Sequence, residues 1–421
     1  MFTTLRNAWK IPELRKKLLF TLLILAIFRI GSAVPVPYVN VEALSTYFRT
    51  QLADTVLGLY NAMSGSAFSQ ATLFALGIQP YINASIIIEL LTIAIPALER
   101  MAKEQGEEGK EKIKRITRYS TVAIGLMLGT AYFFMLKNYG LLANTSFLAA
   151  FVIVISFTAG ASLVMWLGEQ ITEFGVGNGI SMILFAGIVS RLPSAIETLF
   201  FAGSVKWWVA ILLCVGMLLL VTFVVFITNS ERRIPIQYAK RVVGRKVYGG
   251  QNTHLPIKVN MSGVLPVIFA QSIASLPATI CAFTVGTDGW WYKNVFSTEA
   301  WVYALIYFAL IILFSYFYAS IQYNPVEIAN NLKKNGGFIP GFRPGRPTAE
   351  FIGKTITKIV LFGALFLSVV ALLPIIVGWI VPVQGISIGG TSVIIVVGVA
   401  IETVNAIEAQ MLMRHYKGFL E

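Results

Sequence analysis

Long apolar runs dominate the chain, and short clusters of charge separate them. A helix needs about 20 apolar residues to cross a hydrocarbon core about 30 Å thick. Ten runs approach that length with few charges: roughly 18–36, 73–95, 119–136, 146–168, 179–200, 207–228, 261–283, 301–321, 356–380 and 391–411. Residues 359–401 carry no charge, yet the stretch is too long for a single helix. Pro374, Pro382 and the pair Gly389-Gly390 divide it into the last two runs. The pattern predicts a polytopic bundle of ten membrane-spanning helices.

Lysine and arginine orient the spans, because cytoplasmic loops carry them in excess. With the amino terminus in the cytoplasm, cytoplasmic segments hold 27 of the 33 basic residues. The remainder are Arg29, Arg49, Lys137, Arg191, Lys206 and Lys293. Both termini are therefore expected on the cytoplasmic side. Composition agrees with a membrane solvent. Charged residues are 13% of the chain, too few to cover a soluble globule, while 56% apolar content excludes disorder. A soluble enzyme is ruled out. The net charge of +13 lies mostly on the cytoplasmic face, where it suits anionic lipid headgroups or an acidic or nucleic-acid partner.

Two cytoplasmic loops are long for a helical bundle, 229–260 and 322–355. The second contains GFRPGRP (341–347), in which Pro344 and Pro347 stiffen the chain and Gly341 and Gly345 allow turns. Such a loop either binds a partner or simply obeys the positive-inside bias. Between the first two spans, LGLYNAMSGSAFSQAT (57–72) is half apolar and half small-polar. It is too weak to span, and suits either a re-entrant half-helix in a protein cavity or a helix lying on the membrane. In the second span Ile82 and Ile86 share one helix face. Arg29, Glu89 and Glu402 are ionisable groups inside spans, where pairing, snorkelling or a proton relay are the available roles.

Enzymatic signatures are missing. Cys214 and Cys281 lie in apolar runs with no CxxC, and His254 and His415 have no ligand spacing. GVGNG (175–179) lacks the GK[ST] of a nucleotide loop, and reads as a tight turn between the fourth and fifth spans. No cofactor, metal or catalytic group is expected.

Several segments together resemble the bacterial SecY family: FRIGSAVPVP (28–37), LFALGIQPYINASIIIELLT (73–92), GEQITEFGVGNGIS (168–181), AKRVVGRKVYGGQNTHLPIKVN (239–260) and FIPGFRPGRPT (338–348). The likeness runs from the first span to the last in the family's order. It implies an all-α membrane protein whose two inverted five-helix halves surround an hourglass pore. The halves would be 1–200, with a plug at about 57–72, and 201–421, with both large loops. The implied function is a protein-conducting channel in the bacterial cytoplasmic membrane. It would pass unfolded secretory polypeptides across and release transmembrane segments sideways into lipid.

The resemblance also implies sites. A pore ring falls on Ile82, Ile86, Leu184, Ile188, Ile268 and Ile395; Leu184 stands where the family usually has isoleucine. An apolar ring dewets and blocks ions without favouring any passing sequence. The plug falls on Asn61, Ser64, Gly65, Ser66, Ala67 and Phe68. A lateral gate, formed by spans two and three against seven and eight, includes Ile87, Thr92, Ser272 and Leu276. Contacts to the SecA ATPase or to ribosomal RNA fall on Arg245, Lys246, Arg343 and Arg346. Lys246 keeps charge but not arginine's bidentate geometry. SecE and SecG subunits, signal sequences, nascent polypeptides and membrane lipids complete the implied partners. The competing reading is a secondary transporter for a small solute, coupled through Glu89 or Glu402.

Overall fold

The computed structural model describes all residues except 1, 49–51, 53–55, 105, 201–206, 239–240, 244–245, 249–251, 262, 285–288, 291, 298–299, 381–389 and 418–421. In the first half of the chain the helices are α1 (Phe2–Lys10), α2 (Pro12–Gly31), α3 (Val41–Tyr47), α4 (Val56–Met63), α5 (Gln79–Ala94) and α6 (Pro96–Glu104). They continue as α7 (Gly106–Asn138), α8 (Phe147–Phe174), α9 (Gly179–Val189), α10 (Leu192–Phe200) and α11 (Trp207–Thr228). The remainder are α12 (Leu265–Thr284), α13 (Trp301–Gln322), α14 (Pro325–Lys334), α15 (Arg346–Ile380) and α16 (Gly390–Lys417).

Nine of the ten apolar runs fall mainly on one helix each and the fifth on two, but the strict count of spans is lower. Among the described residues seven helices are long and apolar enough to cross a membrane, or eight if the bent pair α5–α6 counts as one span. The first run lies on α2, whose opening turns carry Glu13, Arg15, Lys16 and Lys17. The seventh, on α12, is a shorter apolar helix over Leu265–Cys281. The fifth is divided between α9 and α10. Pro382 and Gly389 lie outside the described residues.

Local chemistry sets the boundaries. Pro96 opens α6 after a 105° bend, because proline cannot continue the preceding hydrogen-bond ladder. The basic stretch after it is helical rather than a loop, since α7 begins at Gly106 and runs on into the third span. In the GVGNG turn, Asn178 caps α9 by accepting from the Ile180 and Ser181 amides.

The expected helical membrane fold is present, and the large loops add short strands to it. These are β1 (Glu231–Tyr238), β2 (Arg241–Val243), β3 (Lys246–Tyr248), β4 (Asn252–Lys258) and β5 (Gly337–Phe338). The order β4-β1-β5 joins both loops in one antiparallel sheet, with Ile234 opposite Leu255 and Gln237 opposite Phe338. Alternation explains it. Ile234 and Ile236 on one face of β1 bury against Ile339, Ile352 and Ile356, while their neighbours face outward.

Candidate functional site

The six residues expected to form the ring come from four helices. α5 presents Ile82 and Ile86 one turn apart, α9 presents Leu184 and Ile188, and α12 and α16 contribute Ile268 and Ile395. Each is between 1% and 6% exposed. All six join one apolar cluster, which also takes in Met63 at the end of α4. Nearby, Asn83 of α5 is buried with its amide unpaired among the described protein groups.

The segment 57–72 is buried in protein rather than laid on a surface. Its helix is only α4; the rest is a chain of turns held by its own polar groups. Asn61 Oδ1 accepts from the Ser69 amide at 2.9 Å, and Ser64 Oγ accepts from the Phe68 amide at 3.1 Å. Phe68 stacks on Tyr132 of α7 at 4.3 Å, and the Tyr132 hydroxyl donates to the Phe68 carbonyl. Gln79 Nε2 donates to Met63 Sδ at 3.0 Å.

A socket receives the turn after α4. Gly65 has φ +67° and Ser66 φ 73°. A Cβ on Gly65 would stand 2.7 Å from Arg29 Nη1, 2.8 Å from Ser190 Oγ and 3.1 Å from the Gly187 carbonyl oxygen. Gly187 meets the segment from the other side, where an added Cβ would overlap the Met63 carbonyl oxygen. At Gly187 every nearby atom is main chain, so a glycine there is what lets α9 and the turn touch. Arg29 closes the socket, donating from Nη1 to the Gly65 carbonyl at 3.3 Å and to Ser190 Oγ at 3.0 Å. Beyond the turn, the Val36 amide donates to Ala71 O and the Leu73 amide to Val34 O, both at 2.9 Å. The segment is thus pinned at its turn and at its exit.

The expected gate residues behave differently from one another. Ser272 is buried, whereas Ile87 is 44% exposed on the outer face of α5. The Thr92 hydroxyl donates to Ile88 O at 2.7 Å within its own helix, and Leu276 is partly buried. α12 packs on α5, α7 and α4, and Tyr60 of α4 lies 3.5 Å from the Ser275 hydroxyl.

On the loops, Arg343 and Arg346 are exposed; Arg346 Nε donates to Glu350 at 3.2 Å. Gly341 and Gly345 both have positive φ, shaping the turn that presents them. Arg245 lies outside the described residues, as does the side chain of Lys246, whose backbone opens β3.

Sequence reasoning passed over Tyr132, Gly187, Ser190 and Gln79, and left Arg29 without a role. Only Arg29 carried a signal, as a charge within a span. It also missed an ion pair between α7 and α8. Arg118 donates from Nε and Nη2 to the two carboxylate oxygens of Glu169, at 3.0 and 2.6 Å.

These features define a mostly helical, multi-span membrane protein with a large buried apolar cluster. The family profile described as SecY matches residues 72–404, and the chain belongs to the SecY family. The protein translocase subunit SecY of Streptomyces scabiei is 44% identical, with 100% of each chain covered. The fold is that of a solved protein-conducting channel, with a TM-score of 0.64 and 18% identity over 94% of this chain and 92% of that one. It also matches Sec61 in a canine ribosome-channel complex from the endoplasmic reticulum, with a TM-score of 0.60 and 16% identity over 94% and 92% of the two chains.

Proposed function

We propose that this chain is the pore subunit of a Sec translocon in a bacterial cytoplasmic membrane. It passes unfolded polypeptides across, and releases apolar segments sideways into lipid. The observation that carries the reading is full-length membership of the SecY family, and the six aliphatic side chains assigned to the constriction all lie in the large buried apolar cluster at the centre of the bundle. Such a constriction excludes water and ions, yet offers a moving chain no hydrogen bonds to stop on. Residues 1–200 and 201–421 act as the two halves around it, and 57–72 acts as the plug.

In this reading the ring is Ile82, Ile86, Leu184, Ile188, Ile268 and Ile395. The socket of Arg29, Gly187 and Ser190 holds the plug closed. SecE and SecG are companion subunits, and work is done by SecA or a ribosome at the basic loops. Arg245, Lys246, Arg343 and Arg346 meet acidic side chains or rRNA phosphates there. The chain itself catalyses no reaction. Membership of the SecY family displaces the small-solute transporter.

The test is site-specific crosslinking during translocation. The chain is reconstituted with SecE and SecA, a secretory precursor is stalled, and a photo-crosslinker is placed at positions 82, 188, 268 and 395 in turn. ATP-dependent crosslinks to the precursor are expected from all four. Crosslinks from none, with SecA binding intact, would overturn the pore assignment.

A further inference from the structure

A polar contact joins the first proposed half to the second near Ile86. Glu89 lies in α5 and Tyr318 in α13, 229 positions apart. The Tyr318 hydroxyl donates to the Glu89 carboxylate, lying 3.0 and 2.9 Å from its two oxygens. Among the described residues no cation pairs with Glu89. The two helices share little backbone packing.

The phenol is held in place from behind. The Tyr318 ring sits edge-on to Phe269 of α12 at 5.2 Å, and Phe269 packs in turn on Phe314 of α13 at 6.1 Å. An aromatic ladder on α12 and α13 therefore aims the hydroxyl at α5. On that helix Glu89 follows Ile86 by three positions and Ile82 by seven, so all three share one face. At 1.5 Å per residue, Glu89 sits about 5 Å beyond Ile86. With the topology set by the basic loops, this is the cytoplasmic side of the ring, near the carboxy-terminal ends of both helices.

We propose that Glu89 and Tyr318 form a latch on the cytoplasmic end of the seam between α5 and α13, and that it sets how apolar a segment must be to leave sideways. The proposal rests on reading these helices as opposite walls of the lateral gate. A segment entering the seam has to part the pair. Once parted, carboxylate and phenol both turn to the aqueous vestibule, so the bond resists opening without blocking it. A hydrogen bond to a charged group shifts a two-state equilibrium by about ten- to hundred-fold. Both groups are half-buried, which places this one near ten-fold. A strongly apolar signal segment supplies that much on entering lipid; a weak one does not. Glu89 and Tyr318 are thus specificity-determining residues.

The test uses the full chain in vesicles with its companion subunits and SecA, and two precursors, one with an intact signal and one with a shortened apolar core. The readout is the ratio of their translocation yields. Y318F removes only the hydroxyl and keeps the ring in the ladder; E89A removes the acceptor; E89Q retains an accepting oxygen. Y318F and E89A are each expected to raise the relative yield of the weak precursor about five- to ten-fold. The double variant should gain no more than either alone, and E89Q should stay closer to the parent. Unchanged ratios, or effects that multiply in the double variant, would overturn the latch. A parent protein that moves neither precursor would instead overturn the channel reading beneath it.

Discussion

Gly187→Ala tests whether the proposed plug is seated by backbone contact. A Cβ at 187 would come well inside 3.0 Å of the Met63 carbonyl oxygen, closer than real Cβ atoms approach, and the next atoms, Met63 C and Gly65 N, stand at 3.3 and 3.5 Å. No flexible side chain can give way, because every obstructing atom is main chain. Either α9 or the turn after α4 must move. The turn is the softer element, since α9 is packed against α8 and α16. Overpacking of this kind costs about 1–3 kcal/mol. If the displaced form does not feel the clash, the seated-to-displaced ratio falls by about 5- to 150-fold. Ion conductance of the reconstituted channel without precursor reads that ratio. Gly187→Ala should raise the leak by at least several-fold. Gly216→Ala in α11, where an added Cβ meets nothing within 4 Å, should leave it unchanged. A leak equal to the parent's in Gly187→Ala, with the protein folded, would refute the backbone socket.

Three further outcomes follow from the same geometry. Arg29→Ala removes the donor to Gly65 and Ser190, and should raise resting conductance a few-fold, less than Gly187→Ala because Arg29 is exposed and a net hydrogen bond contributes only about 1 kcal/mol. Arg118→Ala should lower Tm by several degrees, because it strands the Glu169 carboxylate, whose side chain is 5% exposed; the 45% exposure of Arg118 keeps the loss below the roughly 3–5 kcal/mol of a fully buried pair, and adding Glu169→Gln should recover part of it. Arg343→Glu should abolish SecA-driven translocation of an intact precursor while leaving resting conductance and Tm unchanged, since its side chain is exposed on the loop; normal ATP-dependent yields would count against a role for that loop in partner binding.

Much of the architecture was legible along the chain because its causes are local in sequence. Apolar length decides whether a segment can cross lipid, and charge at its flanks decides direction, so all ten runs could be matched to helical segments. Motifs such as GEQITEFGVGNGIS and FIPGFRPGRPT carried the family. The limits were local too. α2 counts poorly as a span because its first turns are charged, and the strand pattern of Ile234 and Ile236 was overlooked inside a loop read only for charge. The proposed ring rests on likeness to the family; four-spaced isoleucines are too common to mark a pore.

Tertiary structure decided which distant residues meet inside the bundle. Tyr132 meets Phe68 from 64 positions away, Arg29 reaches Ser190 across 161, and Tyr318 reaches Glu89 across 229. None of these pairs shares a helix, so no periodicity links them. The fit of Gly65 to Gly187 depends on how closely two backbones approach, and a glycine in sequence does not say what lies against it. The outward placement of Ile87, beside the buried Ile86, likewise follows from which side of α5 its neighbours cover. Hydrophobicity places a chain in the membrane, but inside it the apolar segments are nearly interchangeable. Packing and the few polar contacts between helices determine which faces meet.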